Sequence, residues 1–472
     1  MRSAGFLSPD MTFSPIPIIV RWISRRALRW CYREVRYVGR ERVPASGATL
    51  LFGNHPNDLP DALVGYFTTD RSLRYIATIS SVTLPFAEVV YRGLSVIPVA
   101  RVRDARKMRL RGIEMGTVNE SAFVAVQEAF HAGHIVGVFP EGGVNDSFHV
   151  GKPRPGVAKM ALESLNSAAE SALSLVAFGI HYEAPQTLRS DVIVVIGTPF
   201  VLRDWVSQQS DPSASRLTDR LRAELVAVSR SSSSWENAGV RDRLVAASTA
   251  VAAAANEPLL ATAARLQGQC GLLVEARDTG HSSSTDSTVH WRTIADDLCN
   301  HVEVVGGIPT SARDTARVLD AAGVLNPQAN WPSIVWVLAV AIPAALGLAL
   351  NGPLQWGVWR YARHTATMRT EMVSRAIVPG LHLIFLGYVI QGGLIALGLR
   401  AASVSSWWAL PVVMLLPRLG DLGLAWRDAV CVLRLRSRVR RLSVADRTAI
   451  HAAADRVRSA WMTLSSLPSS QS

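Results

Sequence analysis

The sequence predicts an α/β domain, a mixed sheet flanked by helices, followed by a helical region and a C-terminal transmembrane helical part. Three observations lead there. Short β-branched runs alternate with helical stretches from about residue 37 to 200. Beyond residue 200 that alternation gives way to alanine-rich periodicity broken by serine tracts. The last third holds two apolar stretches close to the roughly 20 residues that span a bilayer. With 472 residues the chain is too long for one ordinary core. We divide it into 1–36, 37–200, 201–330, 331–432 and a basic tail, 433–472.

The first segment reads as a basic amphipathic helix: Ile19, Trp22, Ile23, Leu28, Trp30 and Cys31 recur at near-helical spacing among arginines. Such a helix either lies in the headgroup region of a bilayer or packs on its own domain. The apolar run Ile16–Val20 is short, begins among prolines and meets Arg21, so no secretory signal is expected.

In the second segment the expected strands are Thr49–Phe52, Leu73–Ala77, Val96–Ala100, Ile135–Phe139, Leu175–Ile180 and Val192–Ile196, with helices over Ser121–Ala132 and Gly156–Ser167. Functional loops of such sheets gather at strand ends. After the first strand comes Asn54-His55-Pro56-Asn57-Asp58-Leu59-Pro60-Asp61, where a histidine stands close to two carboxylates. Imidazole next to carboxylate is the general-base unit of hydroxyl chemistry, the carboxylate fixing the tautomer and stabilising the imidazolium. After the third strand Arg101, Arg103, Arg106, Lys107, Arg109 and Arg111 crowd together against a single opposing Asp104. Most of these suit a solvated helix face, and Arg101, first after the strand, is the candidate for binding phosphate. After the fourth strand, Phe139-Pro140-Glu141-Gly142-Gly143 joins a carboxylate to two glycines whose N–H groups can approach a ligand.

Residues 201–330 read as helices interrupted by serine-rich loops at Ser229–Ser234 and Ser282–Ser287, with one alanine-rich helix over Val245–Ala264. No function is read from them beyond covering part of the preceding domain's site. Ile377–Leu399 and Val404–Trp426 are the crossing candidates, with Trp407, Trp408 and Trp426 near interfaces. Ser333–Leu350, followed by Asn351-Gly352-Pro353, reads as a re-entrant or interfacial hairpin. Arg360, Arg363, Arg369 and Arg375, and the arginines from Arg434 to Arg441, mark the cytoplasmic loops.

Forty-nine Lys plus Arg against 37 Asp plus Glu leave a net charge of +12, which favours anionic partners: phosphorylated substrates, nucleic acid or an anionic membrane face. The four cysteines (Cys31, Cys270, Cys299, Cys431) form no Cys-x-x-Cys pair, so neither a zinc site nor a disulfide framework is expected, and a reducing, cytoplasm-facing setting fits.

In their order and spacing the three loops, with Val176-Ala177-Phe178-Gly179-Ile180-His181-Tyr182 after them, resemble the glycerolipid acyltransferase family. The likeness is dense over residues 37–200. It is nearest to the glycerol-3-phosphate and dihydroxyacetone-phosphate acyltransferases of fungal type, through Gly156–Leu162, Leu188-Arg189-Ser190 and the hydrophobic last third. The resemblance implies an integral membrane enzyme of phospholipid biosynthesis, at the inner (cytoplasmic) membrane with its catalytic domain on the cytoplasmic face. It would move an acyl group from an acyl thioester (acyl-CoA or acyl carrier protein) to a phosphorylated three-carbon acceptor, with no metal or cofactor and no nucleic-acid partner.

The resemblance makes His55 and Asp61 catalytic and Arg101, Glu141, Gly142, Gly143, Asn57 and Arg154 substrate-binding. Two departures bear on this. The commonest family spacing puts Pro60 at the Asp position; Asp61 matches the subgroup's longer spacing, and Asp58 is the substitute. Gly143-Val144-Asn145-Asp146 replaces a more polar or basic family stretch, so phosphate binding leans on Arg101 and Arg154. Lysophosphatidate as acceptor, and a non-catalytic membrane-anchored lipid-binding relative, are the alternative readings.

Overall fold

A computed structural model describes residues 16–78, 96–101, 106, 109, 114–167, 172–185, 187–252, 258–275, 285–324, 331–367 and 371–465. The chain divides into two compact units: residues 1–29, 37–181 and 194–231, and residues 30–36, 182–193 and 232–472.

The first helix, α1 (Ile16–Cys31), is shorter than expected, and the chain then enters a strand, β1 (Tyr32–Val38). Charged residues interleaved with Tyr32, Val35, Tyr37 and Val38 disguise this strand as the end of the amphipathic helix. Helix α1 makes contacts within its own unit. Arg21 pairs with Asp70 at 3.2 Å, and the Arg21 and Arg25 guanidinium groups lie over the Phe67 ring. Ile19 and Trp22 stay exposed.

The sheet is built from β1, β2 (Thr49–Gly53), β3 (Leu73–Thr78), β4 (Ile97–Val99), β5 (Ile135–Val138), β6 (Ser174–Tyr182), β7 (Ser190–Ile196) and β8 (Phe200–Val201), in the order β1-β7-β6-β2-β5-β3-β4, with β8 beside β6. Pairs β2–β5, β2–β6, β3–β5 and β3–β4 are parallel, and β6–β8 is antiparallel, so the sheet is mixed. β2 is central: every residue from Thr49 to Gly53 is buried, as continuous apolar strands covered on both faces require. Helices α2 (Leu59–Tyr66), α3 (Met115–His131), α4 (Pro155–Ser167), α5 (Leu202–Ser207) and α6 (Ala214–Val228) complete this unit. Phe52, Val136, Leu175, Ala129, Ala158 and Leu221 belong to one buried cluster that joins the sheet to α3, α4 and α6.

The second unit is helical beyond its strand residues. The single alanine-rich helix expected over Val245–Ala264 is two, α7 (Trp235–Ala252) and α8 (Leu259–Glu275), with Pro258 at the start of the second. Then come α9 (Thr285–Val304), α10 (Ala312–Ala322), α11 (Ile334–Ala339), α12 (Ala341–Thr365), α13 (Glu371–Ala401), α14 (Ala409–Arg440) and α15 (Val444–Ser465). The segment 333–353, expected as a re-entrant or interfacial hairpin, is α11 followed by the first half of α12, which continues through Pro353. Two side chains bond to carbonyls just before the proline: Gln391 donates to the Leu350 carbonyl at 2.8 Å and Asn351 to that of Gly347 at 2.9 Å.

Along its length α12 passes from α14 to α13. Gly347 lies so close to α14 that an added Cβ would stand 2.0 Å from the Leu419 carbonyl oxygen, whereas Leu354 and Val358 meet Gly387 and Gly380 of α13. Helices α13 and α14 are each long and apolar enough to cross a membrane. A buried ion-pair group also lies in this unit: Asp191, wholly buried, accepts from Arg313 at 2.8 Å and lies 3.7 Å from Arg33, and Arg313 also pairs with Glu34. Arg189 ties Asp428 of α14 to the strand residues, donating to Asp428 at 2.8 Å and to the Tyr32 carbonyl at 2.8 Å.

Candidate active site

The loop after β2 carries the chemistry, and its backbone is fixed before its side chains act. Asn54 continues the strand pairing with its own carboxamide, donating to the Ile180 carbonyl at 3.2 Å and accepting from the Ile180 N–H at 2.7 Å. His55 is then held from two sides: its N–H donates to Glu141 Oε1 at 3.2 Å and its carbonyl accepts from the Asn145 N–H at 2.8 Å. Asp58 turns the chain with φ of 54°, a value uncommon outside glycine, and α2 starts directly after it. That turn brings Asp61 back under the histidine. The Asp58 side chain is exposed and Asp61 is wholly buried.

His55 Nδ1 lies 2.8 Å from Asp61 Oδ2, which also accepts the Asn57 N–H at 2.6 Å. The imidazole is mostly covered, with 15% of the side chain exposed, and it stacks on Phe139 at a centroid distance of 4.2 Å. Phe139 is backed by Tyr75 and, edge-on, by Phe178. With Nδ1 engaged by a carboxylate, Nε2 is left to accept a proton from a hydroxyl, which is the geometry of a general base.

Glu141 braces this loop. Besides the His55 N–H it accepts from Asn145 Nδ2 at 2.7 Å and from the Gly151 N–H at 2.9 Å, both on Oε2. Gly151 has no room for a side chain here, because a Cβ would stand 2.4 Å from that oxygen. Burial pushes the Glu141 carboxyl above its ordinary range, and the three donors pull partly against that shift.

The expected binding residues fall into two groups. Arg101 donates to the Gly142 carbonyl at 3.4 Å, and Arg154 donates its N–H to the Pro140 carbonyl at 2.7 Å while its guanidinium arm crosses Gly142, where a Cβ would lie 2.4 Å from Nε. Arg101, Gly142, Gly143 and Arg154 therefore gather at one turn. Asn57 does not join them: it is fully buried and contributes its backbone N–H to Asp61. Of the other basic residues near Arg101, Arg106 and Arg109 are exposed, and Arg103, Lys107 and Arg111 lie outside the described residues.

A shallow cleft opens beside the histidine, lined by His55, Asn145, Ser147, His149, Ser229 and Arg230 among others. Neither Arg101 nor Arg154 lines it. Ser229 and Arg230, from a tract that reads in the sequence as a plain serine-rich loop, do. None of the four cysteines lines it, and burial pushes the Cys31 and Cys299 thiols up to about 12.

Residues 34–180 match the sequence model of the family described as Acyltransferase. The matched span holds the histidine loop, Arg101, the Glu141 turn and Arg154, and it ends before Ser229 and Arg230. Among solved structures the chain is similar to the crystal structure of the 1-acyl-sn-glycerophosphate (LPA) acyltransferase, PlsC, from Thermotoga maritima, at 15% identity and a TM-score of 0.33, over 44% of this chain and 78% of that one. A comparison with curated proteins finds no match.

Proposed function

We propose that the protein is a membrane-bound O-acyltransferase that moves a fatty acyl group from an acyl thioester to a hydroxyl of glycerol 3-phosphate or dihydroxyacetone phosphate. The observation that carries this reading is the 2.8 Å contact between His55 Nδ1 and the buried Asp61 carboxylate at a cleft edge, inside the span matched by the acyltransferase family. His55 Nε2 takes the hydroxyl proton as the oxygen attacks the thioester carbonyl. The tetrahedral intermediate then collapses with loss of thiolate, which leaves with a proton returned by the imidazolium. A thiolate leaves readily, so no acyl-enzyme is needed and no cysteine nucleophile is invoked. Asp61 holds the tautomer and stabilises the imidazolium as it forms. The arginines at the Gly142 turn favour anionic substrate groups.

Helices α13 and α14 would cross the inner membrane as a pair. Their arginine-rich ends and the α/β domain would lie on the cytoplasmic side, and Arg400 near the opposite loop. This arrangement suits a water-soluble acceptor and a lipid product that partitions into the bilayer.

The test is transfer by purified membranes given a labelled acyl thioester with glycerol 3-phosphate, dihydroxyacetone phosphate or lysophosphatidate in parallel. The expected result is a labelled lipid from one of the first two. A label only with lysophosphatidate would move the acceptor assignment to that lipid, and no product from a folded protein with any acceptor would overturn the enzyme reading.

A further inference from the structure

The cleft beside His55 needs a cation if a phosphorylated acceptor is to sit there. The arginines that the sequence singles out gather instead at Gly142 and do not line it. Among the described residues lining the cleft, Arg230 is the sole arginine. It follows α6 and lies in a segment that the fold fixes on both sides. On one side, Val228 presses against β6 so closely that a Cβ at Gly179 would stand 2.0 Å from the Val228 carbonyl oxygen, and His181 Nε2 lies 3.0 Å from the same oxygen. The Ser229 N–H caps α6 by donating to the Leu225 carbonyl at 2.9 Å. On the other side, Ser231 Oγ accepts the Val150 N–H at 3.3 Å. Arg230 is thus presented at the cleft by a pinned, half-buried backbone.

The surrounding chemistry suits a phosphomonoester. Ser147, Ser229 and His149 add potential donors, and Ser147 Oγ and His149 Nδ1 are 3.1 Å apart. Among the described residues lining the cleft the one carboxylate is Glu141, and its three N–H donors offset part of the negative potential it presents to an anion. A guanidinium that is partly desolvated binds phosphate oxygens in a planar, two-pronged fashion that a lysine cannot reproduce.

Resting on the acyltransferase reading above, we infer that Arg230 is the acceptor-specificity residue: it holds the phosphomonoester of the acyl acceptor beside His55. This contact lies outside the family-matched span, in the tract that follows it. The shared chemistry, a phosphomonoester on a three-carbon backbone, is offered both by soluble glycerol 3-phosphate and by a lysophosphatidate headgroup.

The full-length protein in detergent is titrated with glycerol 3-phosphate, with glycerol, and with lysophosphatidate in mixed micelles, by an equilibrium binding method. Wild type is compared with Arg230→Gln and Arg230→Lys, and steady-state KM for acceptor and thioester is measured alongside. The expected result is that wild type prefers glycerol 3-phosphate over glycerol, and that Arg230→Gln weakens glycerol 3-phosphate binding and raises its KM by about 10- to 100-fold. Thioester KM stays within twofold, and Arg230→Lys recovers part of the loss. If the lysophosphatidate titration alone responds to the substitution, the residue still reads the phosphomonoester and the source is the lipid. Unchanged affinity for both acceptors in Arg230→Gln, or a rise confined to thioester KM, overturns the inference while leaving the acyltransferase reading intact. Absence of transfer by wild type, with Arg230-dependent phosphate binding retained, overturns the enzyme reading and leaves the binding site standing.

Discussion

Replacing Asp61 by Asn probes the dyad at one atom. An asparagine fits the same buried space and can turn its carboxamide oxygen to the Asn57 N–H and the His55 Nδ1–H that Asp61 Oδ2 engages at 2.6 and 2.8 Å. What it removes is the negative charge facing the imidazolium. Two unit charges about 4 Å apart attract by about 4 kcal/mol at the effective dielectric of roughly 20 suited to protein sites. At about 1.4 kcal/mol per decade of rate, that is roughly a thousandfold. Since the charge on His55 exists only as the proton moves, the loss belongs to kcat, and both KM values stay near wild type. The assay is initial rate of labelled lipid formation at saturating thioester and acceptor, for wild type, Asp61→Asn and Asp58→Asn. Asp58 is exposed and its replacement should leave kcat within about threefold, the usual small effect of surface changes. If Asp61→Asn kept kcat within tenfold, or if Asp58→Asn matched its loss, the electrostatic reasoning would be wrong.

Other consequences are as specific. Glu141→Gln cannot accept at every position the carboxylate serves, because its NH2 would face either Asn145 and Gly151 or His55; we expect a stability loss of roughly 1.5–3 kcal/mol by thermal unfolding. Burial raises the folded carboxyl above its ordinary 4.5, so its stabilisation is complete below that value and falls as pH rises through the folded one. The gap between wild type and variant should therefore be widest in acid, and a gap that widens with pH would show that burial does not dominate. Asp191→Ala removes the carboxylate shared by Arg313 and Arg33, which keep Glu34 and Asp314, and should cost about 1.5–3 kcal/mol; a melting temperature equal to wild type would rule out a structural role for that ion-pair group. Reporter fusions after Arg363 and after Arg436 should report the same side of the membrane, and opposite sides would exclude α13 and α14 as a crossing pair.

The sheet was legible because its strands are short β-branched runs ended by glycine, proline or polar loops: all six expected strands agree in position with the structure to within two residues at each end, Val96–Ala100 narrowing to Ile97–Val99. β1 escaped because Arg33, Glu34 and Arg36 alternate with its apolar residues and continue the pattern of the preceding helix. The pairing of His55 with Asp61 was legible because both lie in one short loop, although the turn at Asp58 that joins them has no sequence signature of its own. The bracing part of Glu141 was not legible, because only the tertiary approach of Asn145 and Gly151 shows that it clamps the loop. Arg230 was invisible for a similar reason. A serine tract reads as solvent-exposed loop, and its arginine reaches the cleft only because a glycine on β6 admits the backbone of Val228. The hairpin expected over 333–353 rested on the charge of the loop that follows it, and no local pattern announces that α12 runs on through Pro353 with the Gln391 side chain reaching it from another helix.

The most direct test of direct acyl transfer by His55 is a paired measurement on wild type and His55→Ala, following thiol release from the thioester and labelled lipid formation in the same tube, with glycerol 3-phosphate as acceptor. The account predicts that wild type releases one thiol per lipid formed and none without acceptor, and that His55→Ala, folded and still binding acceptor, loses both activities together by at least the hundredfold that a general base typically supplies, on the order of 100 to 10,000. Sustained transfer by His55→Ala, or a burst of thiol from wild type without acceptor that leaves label covalently on the protein, would contradict it.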